Sequence, residues 1–178
     1  PGESPFESHV IAGVPQDQSL LMTTLARSIL ESLVDAEGPI DAELALKRVA
    51  QAFGMQRVKE ARLRDLQRLL GTRPETEAMG RVFLWPAGAD PASWRGFRKS
   101  DLNQRSIDQI SPYEMANAMT EVIRRSISID QAELMKWMAN YFGAEKLGAK
   151  IQEQLRLTID WAVSLGRFVS EGNHLTLP

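Results

Sequence analysis

The residues of this chain best suited to a definite chemistry are basic and lie between Arg57 and Lys99. If residues 56–70 form a helix, a wheel at about 100° per residue gathers Val58, Ala61, Leu66, Leu69 and Leu70 on one side. The opposite side then carries Arg57, Arg64 and Arg68, with Glu60 and Gln67 beside them and Lys59 at the edge. A row of outward arginines can clamp phosphates or bind guanine in a major groove. A loop further on adds Arg95, Arg98 and Lys99, and the aromatic residues among these bases, Trp85 and Trp94, can stack on unpaired nucleotides. The expected nucleic-acid contacts are therefore Arg57, Lys59, Arg64, Gln67, Arg68, Arg95, Arg98 and Lys99. The competing reading of the helix is an ordinary solvated face, and of Trp85 a core residue. Arg62 falls on the apolar side, so it is either paired internally or marks a shifted helix phase.

Materials for catalysis are scarce. His9 and His174 are the only histidines, one near the start and one near the end, which gives little basis for a metal pair or a Ser/His/Asp triad. No Gly-rich phosphate loop followed by Lys and Ser or Thr is present. The carboxylates are scattered along helix faces as solvated charge. The sequence predicts a protein that is not an enzyme, with no cofactor and no metal.

Composition bounds the rest. The 178 residues suit one large domain or two small ones, and 43% hydrophobic residues are enough for real cores. With no cysteine there is neither a disulfide frame nor a thiolate metal site, which fits a cytoplasmic home. Apolar runs are far shorter than the ~20 residues that span a bilayer, so no membrane partner is expected. The chain opens PGES, with neither Met nor an apolar leader, and is expected to be a piece of something larger. Net charge is −2, but residues 57–99 carry ten bases against five acids, whereas residues 1–36 carry five acids and one base. Any basic surface belongs to the first half.

The elements that must position these residues come from a repeat. Residues 41–54, DAELALKRVAQAFG, return as residues 130–143, DQAELMKWMANYFG. Asp41, Lys47, Ala50, Phe53 and Gly54 match Asp130, Lys136, Ala139, Phe142 and Gly143; upstream, Leu30, Val34 and Ile40 match Met119, Ile123 and Ile129. Downstream, Met79-Gly80-Arg81 is matched to Leu165-Gly166-Arg167 after a three-residue slip. In each copy an Asp caps an amphipathic helix, and an Ala four residues before a Gly leads into a further helix, the spacing of a helix-turn-helix.

Helices are expected over about 18–36, with Leu21, Leu25, Ile29, Leu33 and Val34 as its stripe, then from Asp41, and over 56–70. In the second copy they are expected over 112–125, from Asp130, and over 144–165. Ser111-Pro112-Tyr113-Glu114 reads as a capping box, and so does Asp130 with Glu133. Residues 81–85 read as a strand whose return is either 93–97 or a segment before Gly80. A last hairpin turns at Glu171-Gly172-Asn173. The wheel on the second long helix sets Lys146 and Arg156 against Glu153 and Asp160, a neutral face without drive toward a duplex. The fold class is mainly α with short β hairpins, as tandem winged helix-turn-helix units: an arm over 1–17, unit one over 18–99 and unit two over 100–178.

From about Leu20 onward the chain resembles an uncharacterised bacterial domain. The resemblance rests on Glu37-Gly38-Pro39-Ile40, Arg48-Val49-Ala50 with Phe53-Gly54 and Arg57, Phe83-Leu84-Trp85, and Ile110-Ser111-Pro112 with Glu114. That family closes very large proteins related to superfamily-one DNA helicases, often beside a segment similar to very-short-patch repair endonucleases. Two residues after its arginine the family tends to have Gly, where this chain has Lys59. The resemblance implies an accessory role in DNA processing, with DNA, duplex or junction, and other domains of a helicase-like parent chain as partners. It supplies no site residues. The alternative is a protein-interaction scaffold that touches no nucleic acid.

Overall fold

Asp, Gly and Pro punctuate the chain at matching places in its two halves, and the elements fall between them. The computed structural model describes residues 16–99, 105–144 and 146–178, with side chains from residue 21 onward. It divides into two compact units, Pro1–Ala89 and Asp90–Pro178. The expected arm lies outside the described residues except for its last two, which begin the first helix.

Unit one contains α1 (Gln16–Glu37), β1 (Ile40–Asp41), α2 (Ala42–Ala52), α3 (Glu60–Leu66) running into a 3-10 turn (Gln67–Leu69), β2 (Glu75–Ala78) and β3 (Arg81–Leu84). The buried stripe of α1 is Ala26, Leu30 and Val34, while Leu21 and Leu25 are exposed, one position off the expected phase. These residues pack on Leu44, Val49, Ala50 and Phe53 of the α2 region and on Leu63, Leu66 and Leu69. The return strand is β2, so the sheet order is β1-β3-β2, antiparallel throughout, with Ile40 opposite Leu84. Leu84 faces the core, and Trp85, 1% exposed, donates its indole N–H to Thr76 Oγ1 at 2.9 Å.

Unit two repeats the order: α4 (Pro112–Ser126), β4 (Ser128–Asp130), α5 (Gln131–Tyr141), α6 (Ala149–Ser164), β5 (Val169–Glu171) and β6 (His174–Thr176), preceded by a 3-10 turn (Ile107–Gln109). Its sheet order is β4-β6-β5, with Ile129 opposite Leu175. Met119, Ile123 and Ile129 are buried, like the residues they match.

The turn after the capped helix is the same in both. Gly54 and Gly143 take φ of +85° and +80°, and the next N–H reaches back five residues, Met55 to Ala50 at 3.2 Å and Ala144 to Ala139 at 2.9 Å. The downstream match, by contrast, is corrected. Gly166 closes α6 with φ +66°, whereas Gly80 sits in the β2–β3 turn, whose counterpart is the β5–β6 turn at Gly172-Asn173.

Three further expectations change. The units divide ten residues earlier than Lys99, because the backbone around Trp94 to Arg98 is bonded to α4. The helix expected at residue 144 starts at Ala149, which leaves Lys146 outside it. Ser111 caps α4 without a side-chain bond, and its hydroxyl has no partner among the described residues. Glu114 does not close a capping box because guanidinium bonds, roughly twice as strong as neutral ones, engage it instead. A capping box does form at Ser106 and Gln109, and Asp130 caps α5 by accepting from the Ala132 and Glu133 N–H groups. No helix among the described residues is long and apolar enough to cross a membrane.

Candidate nucleic-acid interface

The positive φ of Gly54 ends α2, and Met55, 4% exposed, pins the chain to the core just beyond it. The four residues that follow are not helical. Lys59 (φ −75°, ψ 154°) is the N-cap of a helix of only 7 residues. Arg57 is therefore exposed but off the helix, which corrects the expected face: the wheel counted a turn that the chain does not make. Leu63, Leu66 and Leu69 are buried, so Arg64, Gln67 and Arg68 are turned to solvent. Gly71, at φ +57°, stops the run.

Arg57, Lys59 and Arg64 make no ion pair among the described residues. Arg68 is 80% exposed and bonded only to Asp65, at 3.3 Å. Arg62 is half-buried and lies 3.7 Å from Asp65, an internal pairing. Arg81 has a different task. Its Nε donates to Asp41 Oδ2 at 2.7 Å and its Nη2 to Oδ1 at 3.1 Å, while the Leu44 N–H donates to the same carboxylate at 2.8 Å. Asp41 is 2% exposed, so this is a buried clasp that locks α2 to the hairpin.

Between α2, α3 and the hairpin lies a cleft of about 740 Å³. Arg64, Gln67 and Arg81 line it, but so do Asp41, Glu43, Glu60 and Glu75, over a floor that includes Leu46 and Leu63. Carboxylates outnumber guanidiniums there, so the cleft itself disfavours a phosphate backbone.

Arg95, Arg98 and Lys99 belong to unit two rather than to unit one. Arg98 donates to Glu114 through its backbone N–H at 2.9 Å, Nε at 3.2 Å and Nη2 at 3.1 Å, and Arg105 adds bonds of 2.8 and 2.7 Å. Burial alone would raise the Glu114 carboxyl pKa, but the Arg105 and Arg98 hydrogen bonds outweigh it and hold the group below its ordinary value. Arg98 is thus structural. Arg95 is exposed, with Nη1 donating to the Ala92 and Trp94 carbonyls, and Lys99 is exposed.

On α6 the expected face keeps Arg156 with Glu153 and Asp160 but loses Lys146, so it carries one carboxylate in excess. Arg156 donates to Glu153 at 3.1 and 2.9 Å and to Asp160 at 2.8 Å. Trp137 is 57% exposed, and Trp161 meets Tyr113 edge to face at 4.8 Å. Sequence reasoning missed Glu114, Asn117, Arg105 and Arg167, whose partners are distant in the chain. The one available signal was a carboxylate at an apolar position of α4.

Residues 23–62 match the family described as "Protein of unknown function (DUF3320)". The match runs from α1 to the start of α3; it takes in Asp41, Arg57 and Lys59 and leaves out Arg64, the hairpin and unit two. Over that stretch the chain is similar to an uncharacterised domain family. No curated protein and no solved structure matches the chain.

Proposed function

We propose that this chain is a non-catalytic DNA-binding accessory module, in which unit one holds the phosphate backbone and unit two serves mainly as scaffold. The order of helix, short strand, two helices and hairpin in each unit is that of a winged helix, which supports a tandem winged-helix reading. The observation that carries the proposal is a contrast between equivalent segments. Arg57, Lys59 and Arg64 stand exposed without carboxylate partners, whereas Arg156 is held by two. A seven-residue α3, about 10 Å long, is too short to read a major groove, so contact is to phosphate and independent of sequence. The resemblance to helicase-associated domains supplies the context of a DNA-processing parent chain.

A second reading, the docking of a protein partner without nucleic acid, draws on the carboxylates of the cleft. Salt dependence separates the two. With four cations on phosphates, affinity for duplex falls with salt at a log-log slope of roughly −3 to −4, at about −0.9 per phosphate. Titrating labelled duplex at several salt concentrations should show that slope for the native protein. It should be largely lost with Arg57→Glu, Arg64→Glu and Arg68→Glu combined, and little changed with Lys146→Glu and Arg156→Glu. Equal slopes for all three proteins, or no duplex binding at low salt, would end the proposal.

A further inference from the structure

Arg167 is a half-buried arginine that meets no carboxylate among the described residues; Arg73 is another, but its Nε donates to the Leu70 carbonyl within its own turn. Arg48, Arg62, Arg81, Arg98 and Arg105, also half-buried, each meet a carboxylate. Arg167 has none among the described residues; its Nη2 donates to the amide oxygen of Asn117. Beside it stands a second cation. Burial first, and then the charge of Arg95, lower the Arg167 pKa.

Two guanidiniums that repel must be held in place, and the holder is visible. Asn117 is 4% exposed; its Nδ2 donates to the carbonyls of Trp94 at 3.1 Å and Gly96 at 2.9 Å while its Oδ1 takes the Arg167 bond. Arg95 is tied to the same turn, with Nη1 donating to Ala92 O at 2.8 Å and Trp94 O at 3.0 Å. In that turn the Trp94 ring packs closely on Gly96, where a Cβ would come 2.6 Å from Cζ2. Asp90, whose charge reaches Arg95, is directed at the backbone N–H groups of Ala92 and Ser93. Each guanidinium has five N–H donors, and here only one nitrogen of each is engaged. The remaining donors, on two fixed forks, suit the oxygens of a tetrahedral anion. Tyr113, one turn before Asn117 on α4, packs its ring on Trp161 and places aromatic surface on the same helix as the holder of Arg167.

We infer that Arg95 and Arg167 form a receptor for a phosphate group, and that the group belongs to a nucleic-acid strand whose base lies against the Tyr113 and Trp161 rings. The strand assignment rests on the nucleic-acid reading above and adds to it a contact in unit two; the receptor itself does not depend on it. The test follows arginine Nε–H and indole N–H signals of the full chain by NMR, at constant ionic strength, during titration with inorganic phosphate and separately with a short oligothymidylate. Both should give saturable shifts. Arg95→Gln, at an exposed position, should weaken both about tenfold or more, the loss of one charged hydrogen bond. Arg57→Glu, Arg64→Glu and Arg68→Glu combined should leave the phosphate shifts unchanged, so failure of the unit-one duplex contact is read separately. Phosphate shifts without oligothymidylate shifts would overturn the strand and leave a free phosphate ester as occupant. Absence of a saturable phosphate shift, or native affinity in Arg95→Gln, would overturn the receptor.

Discussion

The two units are built on one frame and close it with different polar groups. Strand order, register and the turn after the capped helix coincide. In unit one the capping Asp41 is buried and also clasped by Arg81, whereas in unit two Asp130 is half-buried and caps α5 through backbone N–H groups alone. Unit two places its buried charge elsewhere, in Glu114 with Arg98 and Arg105. The repeated apolar, Asp and Gly positions set the frame, because a helix must be capped and must turn wherever it is used. The charged positions are under no such demand, so they diverge, and the divergence separates a segment with exposed cations that meet no carboxylate among the described residues from one whose arginine is held by two.

The comparison is tested hardest at Glu114. Glu114→Ala leaves Arg98 and Arg105 without their carboxylate and should cost unit two about 3–5 kcal/mol, with unit one unaffected. Trp85 reports on unit one and Trp94, Trp137 and Trp161 on unit two, so urea unfolding with tryptophan-specific probes resolves the two. The sign with pH follows from the lowered carboxyl. Its contribution is present above the unfolded glutamate pKa, near 4.5, and is lost as pH falls through the lower folded value. The native protein should therefore lose more stability in acid than Glu114→Gln does, and parallel acid profiles would remove the clamp from the account.

Asp41 and Asp130 occupy the same place in the repeat. Replacing Asp130 by Ala removes a cap and should cost about 1 kcal/mol, whereas Asp41→Ala also strands Arg81 and should cost about 3 kcal/mol. Equal losses, measured from the same urea curves, would mean that the Arg81 clasp adds nothing.

Legibility in the sequence followed the same division. Residues that repeat, such as Asp41 with Asp130 and Phe53-Gly54 with Phe142-Gly143, announced both caps and both turns, because capping and positive φ act within a few residues. The start of α3 was not legible. Met55 draws the chain into the core and Arg57 stays outside the helix, which a wheel cannot know. Arg98 looked like a free base because Glu114 lies 16 residues away, and the same Glu114 looked like half of a capping box because Ser111 stood at the expected distance. Gly80 and Gly166 were matched by their neighbours in sequence, although one turns a hairpin and the other ends a helix. Of the candidate surface, only Lys59, Arg64, Gln67 and Arg68 kept the expected exposure together with the expected place.

A smaller effect is expected where the repeat sets Gly38 against Ile127. Ile127 is 83% exposed at φ 64°, ψ −51°, a conformation that costs a β-branched residue about 1–2 kcal/mol. Ile127→Gly should therefore stabilise unit two by about 1 kcal/mol, after the entropy cost of glycine. Gly38→Ala should destabilise unit one instead, since a Cβ there would meet Pro86 Cδ at 2.5 Å and Val34 O at 2.6 Å. Changes of the same sign at both sites would show that the two connections are conformationally alike.

The smallest expected effect lies in the hairpin turns. Met79 and Gly80 both have positive φ, 53° and 72°, as a two-residue type I′ turn requires, and Asn-Gly is the pair best suited to it. In unit two the corresponding residues are Gly172 and Asn173, and only Gly172 has positive φ, so that hairpin already carries glycine where its backbone needs it. Met79→Asn should then stabilise unit one by a few tenths of a kcal/mol, up to about 1 kcal/mol, because Asn enters the left-handed region more readily than Met. The half-buried Met79 side chain opposes this through the contacts it gives up, which keeps the expected gain small. Thermal unfolding of unit one decides the matter. A raised midpoint means that backbone sign governs the turn, and a lowered one means that the Met79 side chain does more for the hairpin than its strained backbone costs.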